Sequence, residues 1–273
     1  MNEELASEII CEILEEVTVV PCSFGNLYLK HFSSLESTKV LNKKESFINE
    51  AVRRGIEKEE DALKRIIKDG LWSDEEENKI QTGRTYIARM KEGLSKIKIP
   101  SQRDVQLEHI KEQEENIKKS ESKRWAFIGL SAEMYADKQL NKLFFASIGF
   151  ADKEMTKPIM ETLDYEQISA ERDIMIAQKD FFEKFSGENI SKAALSTYFN
   201  PFLSYTESSL EVFGKPLKDL TVFQMRLISY GRTFLNIFKN ARKKIPEYVL
   251  KDPELLIQFH EAQQNEGSQT KGA

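Results

Sequence analysis

An apolar side chain recurs every seventh residue at Ile80, Ile87 and Leu94, and Met90 and Ile97 follow two of them by three. That a/d spacing places one seam along a helix and predicts a helix over 73–98, with Gly83 as its weakest member. Pro100 breaks it, because proline disfavours helical backbone in the residue before it. Ser101 then stands where a cap is needed for a second helix over 102–128. Leu107, Ile110 and Ile117 form a thin stripe there, which fades at Glu114 and Glu121. Two helices joined at a proline break make an antiparallel α-hairpin over about 73–128, each arm about 38 Å long at 1.5 Å per residue. Two readings fit so thin a seam. The arm closes on itself, or it is a partner-binding arm in which Ile80, Ile87, Met90, Leu94 and Ile97 meet another chain.

The hairpin is preceded by "DGLWSDEEENKI", residues 69–80, where a tryptophan sits between a glycine and a run of carboxylates. A short helix over 58–69 has its acids first (Glu59, Glu60, Asp61) and its bases later (Lys64, Arg65, Lys68), as the helix dipole favours. Gly70 stops it. Ser73 and Glu76 then make a capping box, and Asp74, Glu75 and Glu77 face the unpaired amides of the first turn. Trp72 and Leu71 are left in the connection and plug the joint. A calcium loop would need the spacing D-x-[DN]-x-[DN]-G, which the stretch lacks.

The rest of the chain is punctuated in the same way. Residues 2–16 predict a short acidic helix with Leu5, Ile9 and Ile13 on one face. Val17, Val19 and Val20, then Leu27, Tyr28 and Leu29, flank turn residues from Pro21 to Asn26 and predict a β-hairpin at about 17–30, the only sheet expected. From Ser34 a helix runs to Arg54, capped either by Ser34 with Ser37 or by Ser33 with Glu36, and Gly55 stops it. A more buried helix follows at 126–148, a linker at 149–158, and a helix at 166–185 that Gly187 ends. Residues 201–221 read as irregular. Thr221 and Gln224 form another capping box, with Leu220 and Met225 as hydrophobic staple. The helix after it carries Phe223, Leu227, Tyr230, Phe234 and Phe238 at helical spacing. Pro246 and Pro253 punctuate two short helical pieces, and a polar tail at 263–273 reads as disordered. The expected class is mainly α: a helical bundle with the long α-hairpin and the small β-hairpin. Expected domains are 1–150, holding the β-hairpin and arm, and 158–262, the aromatic-rich helical region.

Chemistry is sparsely signalled. His31, His109 and His260 are scattered, and no C-x-x-C or H-E-x-x-H supplies zinc spacing. Spacing alone permits a Cys22–His31 dyad, without a supporting signature. No G-x-G, P-loop or G-x-S-x-G occurs. No catalytic residue, metal or cofactor is therefore expected, and the chain reads as non-enzymatic. Cys11 and Cys22 are too few for a disulfide framework, which suggests a reducing cytoplasm. The acidic start, with Glu3, Glu4, Glu8, Glu12, Glu15 and Glu16, does not resemble a signal peptide. Apolar runs such as "LFFA" at 143–146 are too short to span a bilayer. The net charge of −5 disfavours a general polyanion binder. Lys239, Arg242, Lys243 and Lys244 do cluster at a helix end. The dipole accounts for cations there, and a nucleic-acid-binding or transcription-modulating role is the alternative reading.

Four phrases, "LYLKHFSSLES", "ALKRIIKDGLWSDEEENKI", "KRWAFIGLSAEMYADKQLNKLFF" and "GKPLKDLTVFQMRLISYGRTF…DPELL", together resemble a family of tailed-bacteriophage proteins encoded among virion and tail genes. Members are similar to tail-assembly chaperones or minor tail-associated proteins. The resemblance touches most of residues 24–256 and carries no catalytic signature. It implies a non-enzymatic assembly factor in the host bacterial cytoplasm or the virion. Its implied partners are other tail proteins, either the tape measure or tube and baseplate components, with homo-oligomers compatible. A chaperone of that kind shields a long apolar helical chain by laying partner helices into its grooves, and Met and Phe suit such surfaces because they repack. Phe144, Phe145, Phe150, Met155 and Met160 fit either that role or simple core filling.

Overall fold

The computed structural model of the chain describes residues 3–94, 97, 100–159, 168–197, 199–241 and 243–269. It is mainly α with one small antiparallel sheet, as the periodicities imply. β1 (Val17–Cys22) pairs with β2 (Gly25–Lys30), Val17 opposite Lys30 and Cys22 opposite Gly25. Gly25 closes the turn at φ 119°, a value that glycine adopts without a Cβ clash. A third strand, β3 (Gly149–Phe150), adds to the far edge of β2, with Leu29 opposite Gly149. The linker expected at 149–158 thus begins as a strand. A Cβ on Gly149 would come within 2.8 Å of Ile159 Cγ2, so glycine is what admits the chain there.

Contacts divide the chain into Met1–Asn42 with Leu140–Ala273, and Lys43–Gln139. This differs from the expected split at 150–158. The reason is packing: the N-terminal helix and hairpin bury their apolar faces against helices from the C-terminal part.

In the first unit, α1 (Glu3–Glu15) contributes Ile9, Ile10 and Ile13 to the core, and β2 contributes Leu27 and Leu29. α2 (Ser34–Leu41) is capped by the Ser33–Glu36 box. The helix expected over 34–54 stops here, because the next one, α3 (Lys44–Arg53), belongs to the other unit. Further along, α8 (Ile168–Lys184) supplies Ala177 and Phe181, with Phe185 just beyond its end. The expected helix start at 166 lies outside the described residues. Gly187 does not merely end a helix. It opens α9 (Gly187–Leu195), which Ser186 caps through Asn189 N–H. The stretch read as irregular contains α10 (Phe199–Ser204), α11 (Ser209–Phe213) and a 3₁₀ turn at Leu217–Asp219. α12 (Val222–Asn240) buries Leu227, Gly231, Phe234 and Ile237. Pro246 begins a turn, not a helical piece. α13 runs Pro253–Gln269, so much of the tail expected to be disordered is helical, and residues 270–273 lie outside the described set.

The Thr221–Gln224 capping box forms, and it does more than cap. Gln224 is buried, and its Oε1 accepts from Thr221 N–H at 3.0 Å. Its Nε2 donates to Ile13 O at 3.1 Å and to Glu16 Oε1 at 3.0 Å. One amide thereby satisfies a carbonyl left over at the end of α1 and an amide at the start of α12.

In the second unit, α4 (Glu59–Lys68) ends before Gly70, and α5 (Asp74–Leu94) starts with the Ser73–Glu76 box: Ser73 N–H reaches Glu76 Oε2 at 3.0 Å and Glu76 N–H reaches Ser73 Oγ at 3.2 Å. Trp72, 4 % exposed, plugs the joint against Ala62, Ile66, Ile80 and Ile128. Leu71 does not share that role and is 50 % exposed. α6 (Pro100–Ile128) begins at the proline itself, where a missing N–H costs nothing, so Ser101 is inside the helix and not its cap. The helix expected over 126–148 is interrupted at Gly129 (φ +72°), and α7 (Ala132–Ile148) restarts with Ser131 Oγ accepting Met134 N–H.

Three substitutions test this packing. A Cβ on Gly231 would lie 2.6 Å from Phe199 Cε1 and 2.5 Å from Leu203 Cδ2, both on fully buried side chains. Gly231→Ala is expected to lower the unfolding free energy by about 1–3 kcal/mol in denaturant titration. Gly83→Ala meets only the half-buried Ile117 side chain, at 2.7 Å from Cδ1 and 3.1 Å from Cγ1, and its helix-propensity gain of about 1 kcal/mol leaves it close to neutral. Gln224→Leu strands the Ile13 carbonyl and the Thr221 amide and is expected to cost about 2–4 kcal/mol by the same measurement.

Candidate functional site

The seam residues singled out from the heptad spacing are brought together, but on the inside of the α-hairpin. Ile87, Met90 and Leu94 pack with Ile110 and Ile117 across α5 and α6. Ile80 joins the Trp72 cluster. Ile97 is half-buried and donates its N–H to Leu94 O at 3.2 Å. The arm is therefore closed by its own second helix, and Ile80, Ile87, Met90 and Leu94 do not present a face to another chain. The fading of the α6 stripe is explained too. Glu114 pairs with Lys91 at 3.0 Å, and Glu121 accepts Arg84 Nε at 2.9 Å, so these positions tie the two helices by charge.

Inside this unit a partly buried ion cluster braces the joint. Arg124 Nε donates to Glu77 Oε2 at 2.8 Å and its Nη1 to Glu59 Oε1 at 2.8 Å. Glu77 Oε2 also accepts Trp72 Nε1–H at 3.1 Å. Burial acts to lower the guanidinium pKa, but the hydrogen bonds it donates to Glu77 and Glu59 outweigh it and raise it.

The first unit holds a polar chain that motif searching does not reveal. Leu27, Leu29 and His31 alternate onto the inner face of the hairpin strand, and His31 is 1 % exposed. Its Nε2 lies 3.0 Å from Thr18 Oγ1, and Thr18 donates to Glu12 Oε2 at 2.8 Å. Lys184 Nζ donates to Glu12 Oε1 at 2.7 Å and to Glu8 Oε1 at 2.6 Å. The rings of Phe185, Phe223 and Phe181 surround the imidazole at centroid distances of 4.8, 5.0 and 5.7 Å. Desolvation, with Lys184 nearby, pushes the His31 pKa down to about 3. The period-two alternation that ends at His31 is the one sequence signal that it points inward.

The remaining candidates stay apart. His109 lies 3.6 Å from Glu112 on α6, and His260 lies 3.4 Å from Gln264 on α13. Cys11 is exposed, while Cys22 is half-buried with its thiol pKa raised by burial and then by Asp173. Among the described residues, no group of three or more His, Cys, Asp or Glu side chains could hold a metal ion. No described helix is long and apolar enough to cross a membrane. Lys239, Lys243 and Lys244 are exposed at and after the end of α12, and Arg242 lies outside the described residues. Of the apolar residues raised for repacking, Phe145 is core, Phe144, Phe150 and Met155 are half-buried, and Met160 lies outside the described residues. α8 also exposes Met175 (70 %), Ile176 and Phe182, and the Phe182 ring lies 5.4 Å from that of Phe144.

Comparison with protein-family models, with curated proteins and with solved structures gave no match.

Arg124 is the testable centre of the joint. Arg124→Met leaves Glu59 and Glu77 side by side without their cation. Both glutamates retain some solvent, so the expected loss is about 1–3 kcal/mol of unfolding free energy, and in a Trp125→Phe background, which removes the other tryptophan of this cluster, Trp72 fluorescence should report the loosened joint.

Proposed function

We propose that this protein is a non-catalytic assembly factor of bacteriophage tails, a tail-assembly chaperone or tail-associated structural protein that binds other tail proteins through helical surfaces. The resemblance in four phrases, three of them in the family's order, supports that reading. Those phrases fall on the structural joints: the strand leading into the α2 cap, the Trp72 plug, the α6–α7 break and the α12 capping box. The single structural observation that carries contact with a partner is the apolar ridge of α8, where Met175, Ile176 and Phe182 stand exposed. Met175 and Phe182, two turns apart on one face, suit an apolar helix of another tail protein, because an unbranched methionine repacks at little cost around a phenyl anchor. The heptad seam is not that surface, since the α-hairpin consumes it.

The test is co-expression with proteins encoded beside it, followed by co-purification and by mass spectrometry of purified particles next to infected lysate. A tail protein is expected to co-purify with the wild-type chain and to be lost, by about tenfold or more in affinity, in a Met175→Glu, Phe182→Glu double variant. A chain that neither captures a tail protein nor enters particles would sink the proposal.

A further inference from the structure

We propose that His31 is an acid-sensitive latch: a second proton on its ring, at Nδ1, releases the β1–β2 hairpin from α8 and α12 while the helical core of the same unit stays folded.

Thr18 has one hydroxyl proton, and the Glu12 carboxylate, which only accepts, takes it at 2.8 Å. The 3.0 Å contact between Thr18 Oγ1 and His31 Nε2 is then a hydrogen bond only if Nε2 carries the proton. This places the lone pair on Nδ1, which has no hydrogen-bond partner among the described residues. The neutral tautomer is thereby dictated by its neighbours, and the site for another proton sits among three phenyl rings.

Each element packed on the ring can be asked what it offers an imidazolium. α1 offers Glu12, but only through Thr18 and on the side of Nε2. α8 offers Phe181 and, from Lys184, a second positive charge, itself bound to Glu12 and Glu8. Phe185 follows at the end of α8, and α12 offers Phe223. The backbone N–H of His31 is held by Glu16 O at 2.8 Å, and the Glu16 carboxylate pairs with Lys215. Phenyl faces attract a cation, but a proton on Nδ1 still lacks an acceptor there, and Lys184 opposes it.

The sign of the effect follows. The ordinary imidazole value of 6.5 is lowered to about 3 in the folded chain. The stabilisation from the neutral ring is complete above 6.5 and is lost progressively as pH falls toward 3, because the opened hairpin binds the proton first. An isolated hairpin is marginal, and here Leu27, Leu29 and His31 are its inward anchors. The helical core around Ile190, Phe199, Leu227 and Phe234 is built of apolar side chains and does not titrate.

Hydrogen exchange on the full chain tests this, with intrinsic rates corrected and pH lowered from 6.5 to 5. Peptides covering β1 and β2 are expected to open about sixteenfold more often, because the opened ring is already half protonated at pH 6.5, while peptides of α12 lag behind. In His31→Gln, whose amide can still donate to Thr18, that pH response disappears. Ring nitrogen shifts of the wild type give an independent reading: Nε2–H and a neutral ring at pH 5 are expected, and this measurement decides the matter if the variant does not fold. A ring that titrates near 6.5 in the folded chain, hairpin and α12 peptides that accelerate together, or a His31→Gln chain with the wild-type pH response would each overturn the latch.

Discussion

One buried amide holds the ends of the first unit together. Gln224 Oε1 accepts from Thr221 N–H, and its Nε2 donates to Ile13 O and to the Glu16 carboxylate, so one side chain serves two backbone groups at helix ends and one carboxylate oxygen. Buried backbone groups must find partners, and leaving one unpaired costs more than a made bond returns. The start of α12 is further pinned by Val222 N–H bonding to Phe32 O at 2.9 Å, beside the Ser33–Thr221 bridge. Because that anchor follows directly on β2, the position of His31 is set by the same connection. The apolar core can then be assembled from elements far apart in sequence.

The second unit solves a related problem with charge. Its α-hairpin has too narrow an apolar seam to be held by burial alone, and the seam thins where Glu114 and Glu121 interrupt α6. Those glutamates pair across to Lys91 and Arg84. Exposed pairs contribute little each, but they also set the register of two helices. At the other end Arg124 lies under the Trp72 joint, where its two carboxylates make it part of the packing and not a surface charge.

Contact, in this arrangement, is left to surfaces outside the seam. A helix face that keeps Met175 and Phe182 in water carries an unfavourable exposure that a partner would relieve. Lys239 lies in the last turn of α12, where the helix dipole accounts for it, and Lys243 and Lys244 follow the helix. The reading as an assembly factor and the His31 latch rest on different residues, so either can fail without the other.

Local rules were legible wherever two or three adjacent residues suffice. The caps at Ser73 and Thr221, the glycine stop at 70, the hairpin at 17–30 and the α-hairpin over 73–128 depend on short-range geometry and periodicity, and the chain alone determined them, whereas the choice of Ser33 with Glu36 over Ser34 with Ser37 came from the structure. Gly187, Pro100 and Gly129 were harder, because each can end one helix or begin the next, and the neighbouring packing chooses. The inward aim of His31, the pairing of Gln224 with Ile13 some two hundred residues away, and the grouping of residues 1–42 with 140–273 were decided only by tertiary structure. So was the fate of the heptad seam. Spacing states that Ile80, Ile87, Met90 and Leu94 share a face, but whether that face meets its own chain or another depends on what lies opposite, which periodicity within one helix does not contain.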